Sequence, residues 1–359
     1  KVSFPEYANG VLEEAKVLWA SGEGNEALQM VRALDERLTL VSKSLSEGDR
    51  AGAVQANQQH LIDLQLLQAK VAFACGRWII DTGAESARDV RQNYLKRAVG
   101  ILQKLNDADH MCRVCYVLAK HADGVFQGYV AKEKSPEWLT SVEVRKHRKA
   151  ERDAVRKLPA DVLQKNGEMQ RHLKRLERQV NADEAEQAKF DSDRAHFLED
   201  AARFYVNTLL IGSKFDLVIF PLCNLWFAEP TVNDYIKRKL QQIPSHKWLP
   251  LAYQIASRLT ARPGDFGETL RTLLLKLAKE QPHQMLIKIL ALRNGAMLPE
   301  GHRGRGVHVV DEDKILAAKR LIEDLKRDGP SARMVNKYEL LSKAYLELAY
   351  YKLRTAPKP

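Results

Sequence analysis

The stretch that decides the fold class runs from Ala15 to Leu28 and reads AKVLWASGEGNEAL. Its first part completes an apolar stripe at helical spacing, made of Leu12, Ala15, Leu18 and Trp19. The segment Ser21-Gly22-Glu23-Gly24 then breaks the helix, because glycine and serine favour turns. A second stripe follows at once, made of Ala27, Leu28, Val31, Leu34 and Leu38. The stretch therefore predicts two helices joined by a short turn.

Small residues within this pattern let two helices pack closely, so the segment resembles a tetratricopeptide helical hairpin. A second hairpin is predicted over residues 54–80 and 87–105, each with its own apolar stripe. Neither hairpin could bury its stripe alone, so the sequence predicts that neighbouring hairpins stack.

The pattern changes between residues 136 and 212, where long charged helices carry sparse apolar positions. Pro159 interrupts them, since a proline disfavours helix in the residue before it. Apolar residues return from Phe197 onward, which indicates that the second arm re-enters a core near Gly212. We expect a protruding helical hairpin here.

Short, strongly apolar helices fill the rest of the chain, among them one predicted over 246–259 and a centrally buried one predicted over 283–292. They suggest HEAT-like pairs, with a Gly- and Arg-rich loop at residues 295–311. The predicted fold class is all-α, a helical-repeat solenoid. Its predicted domains are tetratricopeptide-like repeats at 1–135, a long charged hairpin at 136–212 and a HEAT-like stack at 213–359.

Composition excludes several classes of protein. Four cysteines in 359 residues are too few for a disulfide framework, which points to a reducing compartment. The apolar runs are far shorter than the roughly 20 residues that cross a bilayer. A net charge of +11 favours anionic partners, yet for the basic stretches at 145–152 and 171–178 a solvated helix face is favoured over a DNA-binding or acidic-protein-binding patch. The start at Lys1, without methionine, suggests a piece of a longer protein.

Two motifs resemble catalytic or metal sites but lack their context. Asp265-Phe266-Gly267 matches the kinase tripeptide that holds magnesium, yet no His-Arg-Asp precedes it, so we predict a turn with Asp265 as a helix N-cap. Cys112 and Cys115 have half the spacing of a zinc site, and the second ligand pair is missing, so buried thiols are expected. The sequence predicts no catalytic, cofactor-binding or metal residue. His283 is expected in a capping role at a helix start.

Five segments of the chain carry a specific residue pattern. Residues 93–99 read NYLKRAV and residues 220–226 read FPLCNLW. The clearest segment is IPSHKWLPLAYQIASRL at 243–259, followed by QPHQ at 281–284 and ILAL at 289–292. In this order the segments resemble the FAT region of the ATM kinase family, including its fungal telomere-maintenance relatives. The resemblance runs through nearly the whole chain and is weakest at 136–187 and 295–311.

The resemblance implies a C-shaped helical clamp that cradles a kinase domain lying after Pro359 and absent from this sequence. The parent protein would be a nuclear serine/threonine kinase that acts on Ser-Gln and Thr-Gln sites in DNA double-strand-break signalling and telomere maintenance. ATP and magnesium would belong to that absent domain, and no cofactor to this segment. The implied partners are the kinase domain in cis, a second copy in a homodimer and a DNA-break sensor complex, with direct DNA contact left open and no membrane.

An alternative is a free-standing helical-repeat adaptor that binds proteins or nucleic acid, which the hairpins and basic charge equally permit. The residues predicted to form the core and edge of the C-terminal stack are Leu222, Trp226, Trp248, Leu249, Pro250, Tyr253, Ile255, Pro282 and Ile289. Arg303 and Arg305 form a candidate anion-contacting loop, for which a plain linker is the favoured interpretation.

Overall fold

The computed structural model describes residues 4–48, 56–159, 166–296 and 311–349. Every regular element within these ranges is helical, and the predicted all-α solenoid class is confirmed. The chain divides into two compact units, Lys1–Gly212 and Ser213–Pro359, hereafter unit 1 and unit 2. The three predicted domains remain a prediction.

Unit 1 consists of long helices. They are α1 Phe4–Ser21, α2 Gly24–Gly48, α3 Ala56–Thr82, α4 Ala87–Asp89, α5 Lys96–Leu105, α6 Ala108–Glu133, α7 Pro136–Arg156 and α8 Gly167–Ile211. A π-helical segment, Val90–Leu95, joins α4 to α5.

The first hairpin forms because Gly22 ends α1 with a φ of 96°, a value that L side chains rarely adopt. Small and branched side chains pack α1 closely against α2, and Ala15 and Val31 are both fully buried. Behind it, α3 packs on α5 and α6 around Ala72, Ala98 and Leu102. The short Ala side chains let these helices approach closely, as the hairpin pattern predicts.

Helix α8 is 45 residues long, which at the usual rise per residue is about 68 Å. Its second half packs along α6 and buries Phe197, Phe204 and Leu209. Its first half lies against α7, where Trp138 stacks on Phe190 with ring centroids 4.3 Å apart. One helix therefore belongs partly to the charged hairpin and partly to the core of unit 1.

Many of the basic residues at 145–152 form ion pairs with carboxylates of α7 and α8. Lys149 Nζ lies 3.0 Å from a carboxylate oxygen of Glu184, and Arg148 pairs with Asp183. Arg145 donates to the side-chain oxygen of Gln187 at 2.8 Å. These residues are paired within the hairpin, which agrees with a helix face rather than an open anion-binding patch.

Unit 2 consists of shorter helices. They are α9 Ile219–Ala228, α10 Asn233–Lys239, α11 Ser245–Trp248, α12 Ala252–Ser257, α13 Asp265–Glu280, α14 Pro282–Arg293, α15 Glu312–Arg327 and α16 Gly329–Ala349. Short 3₁₀ turns lie at Asp216–Val218, Pro230–Val232, Leu249–Leu251 and Asn294–Ala296.

The continuous helix predicted over 246–259 is wrong, because a 3₁₀ turn at Leu249–Leu251 separates α11 from α12. Pro250 has no N–H to donate and its ring crowds the preceding turn, so the helical ladder is interrupted there. The predicted central helix at 283–292 is present as α14, with Met285 and Ile289 fully buried. One side of α14 is accessible to solvent, because Ile287 is 38% exposed.

A histidine on α6 gives unit 1 an expected pH dependence. Burial lowers the pKa of the His121 imidazole from its ordinary value of 6.5, and a hydrogen bond with the Ala87 main chain opposes this shift. The unfolded chain therefore binds the proton more tightly than the folded one. We expect unit 1 to lose stability as the pH falls from about 6.5 towards the lower folded-state pKa.

Urea unfolding at pH 7.5 and pH 5.5 tests this expectation. The substitution His121→Gln should reduce the loss of stability on acidification. The control His147→Gln changes an exposed histidine on α7 and should leave that loss as it is. Equal pH dependence in the parent chain and in His121→Gln would contradict the assignment.

Candidate functional site

An aromatic cluster lies at the centre of unit 2. The ring of Trp226 meets Trp248 edge-on with centroids 6.2 Å apart, and Phe266 lies 5.4 Å from Trp226. The indole N–H of Trp226 donates to the side-chain oxygen of Asn233 at 3.0 Å. Arg258 covers the ring of Phe227 at 4.3 Å. The cluster joins α9, α11 and α13, so the conspicuous aromatic residues of this region serve packing.

The nine residues predicted for the core and edge of this stack fall into three groups. Five are buried: Leu222, Trp226, Trp248, Ile255 and Ile289. Leu249 and Pro282 are half-buried, and Pro250 and Tyr253 are exposed. Tyr253 keeps 69% of its surface exposed, which makes it available for a contact outside unit 2. A functional role for the stack remains a prediction.

A buried lysine holds the segment before α11 in place. The ammonium group of Lys276 donates to the main-chain oxygens of Leu240, Gln241 and Ile243, at 3.2, 2.9 and 2.7 Å. These carbonyls follow the end of α10, where helix geometry leaves such groups without partners. Burial lowers the pKa of Lys276. The side chain thereby fixes the path of the residues that carry the clearest family resemblance.

Two further polar contacts fix the same segment. Lys247 is 5% exposed, and its ammonium group lies 3.0 Å from a carboxylate oxygen of Asp216. Ser245 donates to the carboxylate of Glu280 at 2.5 Å. The sequence does not reveal the roles of Lys276 and Lys247, because a lysine in a helix usually indicates an exposed position.

The kinase-like tripeptide is structural. Asp265 is the first residue of α13, Gly264 holds the N-cap position, and no side chain caps the helix. The predicted N-cap role of Asp265 is therefore wrong, because the helix begins one residue earlier than expected. Asp265 still lies in the first turn, where a negative charge favours the helix dipole. Phe266 belongs to the aromatic cluster.

The cysteine pair lies inside unit 1. Cys112 and Cys115 are both buried thiols on α6, and burial raises the pKa of Cys115 to about 12. Across residues 4–48, 56–159, 166–296 and 311–349, no three His, Cys, Asp or Glu side chains are grouped as a metal site would require. The pair therefore packs α6 and does not expose a reactive thiolate.

His283 lies in the first turn of α14 and joins two helices. Its Nδ1 is 2.8 Å from the hydroxyl oxygen of Tyr338 on α16, a contact with another helix instead of the expected capping role. Arg303 and Arg305, the candidate anion-contacting residues, lie outside the described residues.

The end of α16 carries an unusual amount of exposed apolar surface. We call this the α16 apolar face; it consists of Leu340, Leu341, Tyr345 and Leu348, which are 70%, 45%, 60% and 71% exposed. On a helical wheel, Leu341, Tyr345 and Leu348 share one side. A contiguous patch of this kind usually marks a site of contact with another protein surface.

The opposite side of α16 is held firmly. Glu339 accepts from Lys326 on α15 at 2.7 Å and also pairs with Arg293 on α14. The side-chain amide of Asn294 donates to the hydroxyl of Ser342 at 3.0 Å. The helix therefore presents its apolar face from a fixed position on unit 2.

Among the described helices, none combines the length and the apolar content that crossing a lipid bilayer would require. The search against protein-family models finds no match.

Individual proteins do match. The chain is 27% identical over 362 residues to the serine/threonine-protein kinase ATM of Arabidopsis thaliana, covering 96% of this chain and 9% of that protein. It is 29% identical over 363 residues to the serine-protein kinase ATM of Sus scrofa, covering 94% and 11%. The similarity to ATM-type kinases is confirmed. The kinase TEL1 of Saccharomyces cerevisiae matches 93% of this chain at 24% identity.

Solved structures share the fold of this chain. A structure described as the FAT and kinase domain of CtTel1 covers 96% of the chain with a TM-score of 0.68 at 18% identity. A Tel1 kinase described as a butterfly symmetric dimer covers 98% with a TM-score of 0.71 at 21% identity. The segment spans only about a tenth of the length of its curated relatives.

Proposed function

We propose that this chain is part of the helical frame that carries the kinase domain of an ATM-type serine/threonine protein kinase. The observation that supports this is the match of 94% to 96% of the chain to about a tenth of two much longer ATM kinases. The relative described as the FAT and kinase domain of CtTel1 has the same helical fold in a protein that includes a kinase domain. The α16 apolar face is a surface that such a domain could cover.

The parent kinase would act on Ser-Gln and Thr-Gln sites with ATP and magnesium bound in its own catalytic domain. It would work in the nucleus, in DNA double-strand-break signalling and telomere maintenance, with a DNA-break sensor complex as partner. The naming of several relatives as ATM and TEL1 kinases supports this proposal. Two neighbouring Tel1 structures are described as symmetric dimers, which supports a homodimer.

A solenoid suits this task physically. Each repeat contacts only its neighbours, so small changes in curvature can add up along the array and shift a catalytic domain between two states. A rigidly held apolar face would transmit such changes, since it has a firm attachment to α14 and α15. In this proposal the segment regulates the kinase without supplying any catalytic residue.

We expect the substitution Leu348→Glu in the full-length polypeptide to lower kinase activity. In this proposal the kinase domain covers the α16 apolar face, so the new carboxylate would be buried there and would weaken the contact between the two. Coupling between two sites of a protein typically changes activity about fivefold or more. The measurement is kcat/KM on a Ser-Gln peptide at matched folded fraction. Leu348 is 71% exposed on unit 2, so the substitution should leave the fold intact.

Leu40→Glu is the matched control, because Leu40 is 67% exposed on α2 and lies in the other unit. Its kinase activity should stay at the parent level. Unchanged activity in Leu348→Glu, together with partner binding by the segment alone, would replace the frame proposal with a free-standing adaptor.

A further inference from the structure

A groove with an aromatic floor opens in unit 1 between α1, α3 and α6. Its volume is about 400 Å³. Trp19 stacks face to face on Trp78, with ring centroids 4.7 Å apart and planes within 4°. Phe73 lies beside them and is only partly buried. Trp19 and Phe73 are half-buried and Trp78 is buried beneath Trp19. Partly exposed rings in a concave site form a surface on which an apolar side chain of a partner can pack.

Basic side chains surround the aromatic floor of the groove. Lys16, Lys70, Arg77 and Arg113 line the groove, against a single lining carboxylate, Glu13. Glu13 already pairs with Lys16 at 2.7 Å. None of the other three cations, Lys70, Arg77 and Arg113, forms a salt bridge with any residue in the described part of the chain.

This lack of salt bridges distinguishes the groove from the basic stretch at 145–152 in the same unit. Along α7 and α8 the equally basic stretch is matched by carboxylates, as the pair of Lys149 with Glu184 illustrates. Lys70 and Arg77 on α3 and Arg113 on α6 place like charges around the groove. Of these three, only Lys70 has an electrostatic partner among the described residues, the carboxyl group of Asp107. Their charge is complementary to an anionic partner.

We propose that this groove binds an acidic linear peptide from a partner protein. An aromatic or large aliphatic side chain of the peptide packs on Trp19 and Phe73. Its flanking carboxylates accept hydrogen bonds from Lys70, Arg77 and Arg113. Arginine presents a planar fork of donors that matches a carboxylate, so two arginines at the rim give both affinity and orientation.

The shape of the groove favours a peptide over a nucleic acid. A nucleic acid needs cations spaced along a strip that follows its phosphates, with free ring faces on which bases stack. Here the cations surround a compact pocket, and one face of Trp19 is already covered by Trp78. A large apolar side chain with acidic neighbours fits these dimensions better than a sugar-phosphate backbone.

Fluorescence anisotropy with the 359-residue chain tests the proposal. The probe is a fluorescein-labelled heptapeptide of sequence Glu-Asp-Glu-Phe-Asp-Glu-Glu, and competitors are its Phe-to-Ala analogue and a single-stranded oligo-dT. The groove variant combines Arg77→Glu with Arg113→Glu. Both side chains are exposed and unpaired, so the variant should fold normally, which far-UV circular dichroism checks.

The control variant combines Lys104→Glu with Lys120→Glu. These lysines are exposed on α5 and α6 of the same unit and do not line the groove, and the change in net charge is the same. We expect the groove variant to weaken peptide binding about tenfold or more and the control to weaken it less than about twofold. The Phe-to-Ala analogue should compete poorly.

Three results would overturn the proposal. Equal weakening in both variants would show general charge attraction without a site. Absence of peptide binding to the parent chain would show that the groove has no such ligand. Oligo-dT that competes better than the peptide, and loses affinity in the groove variant, would assign the groove to nucleic acid. None of these outcomes bears on the kinase activity that tests the frame proposal.

Discussion

Replacing Trp248 with alanine should destabilise unit 2 by about 3 to 5 kcal/mol, the usual cost of removing a fully buried aromatic side chain. Trp248 has no exposed surface and meets Trp226 edge-on within the aromatic cluster. Its indole N–H is buried without a hydrogen-bond partner, so the loss comes from packing and not from a broken hydrogen bond. Urea unfolding gives the change in free energy, and hydrogen exchange shows which unit is affected.

Tyr253→Ala is the control for this experiment. Tyr253 is an aromatic residue five positions further along the same segment, but it is 69% exposed. Its truncation should change the free energy of unfolding by less than about 0.5 kcal/mol. A change near zero for Trp248→Ala would refute the burial of that ring, and faster exchange in unit 1 would show that the two units unfold together.

Apolar spacing was sufficient to predict the fold class. The stripes around Ala15–Leu28 predict the first hairpin because helix periodicity and a Gly-rich turn are local properties of the chain. The break at Pro250 is equally local. A proline inside a helical pattern removes a hydrogen-bond donor, so the apolar spacing over 246–259 predicts a continuous helix only if Pro250 is ignored.

The polar contacts could not be predicted in the same way. Lys276 caps carbonyls about 35 positions earlier in the chain, and no local pattern reveals such a distant partner. The groove in unit 1 has the same origin, since Lys16, Arg77 and Arg113 come from three separate helices. Side chains that act together through tertiary packing leave no spacing signal.

One buried charge did leave a signal. Asp200 lies within the apolar stripe of α8 that includes Phe197, Ala201 and Phe204. An acidic residue at a core position needs a partner, because an isolated buried carboxylate is costly. This position is therefore a signal from which a buried cation could be expected, although not which one.

The structure supplies two cations. Asp200 is 4% exposed and pairs with Arg91, in the π-helical segment, and with Lys96, at the start of α5. The ammonium group of Lys96 lies 2.9 Å from the carboxylate, and the guanidinium of Arg91 also covers the ring of Phe197 at 5.5 Å. This triad is a buried polar link from α8 to the π-helical segment and to α5.

Asp200→Ala should therefore cost unit 1 about 3 kcal/mol of stability. Removing the carboxylate leaves Arg91 in a largely enclosed site without its counter-ion, which is the most destabilising way to break a buried pair. Lys96 is about a quarter exposed and can turn towards water, so we place the cost at the lower end of the usual range. Asp200→Asn keeps a hydrogen-bond acceptor and should lose less.

The control is Asp193→Ala on the same helix. Asp193 pairs with Arg88, whose side chain is 56% exposed, so this substitution should cost less than about 1 kcal/mol. Urea unfolding of the two variants, with hydrogen exchange followed separately in each unit, measures the difference. Similar costs for the two aspartates would mean that the cations at Asp200 find water or another partner. A large difference confined to unit 1 would establish that its long helix is held by one buried carboxylate as well as by apolar packing.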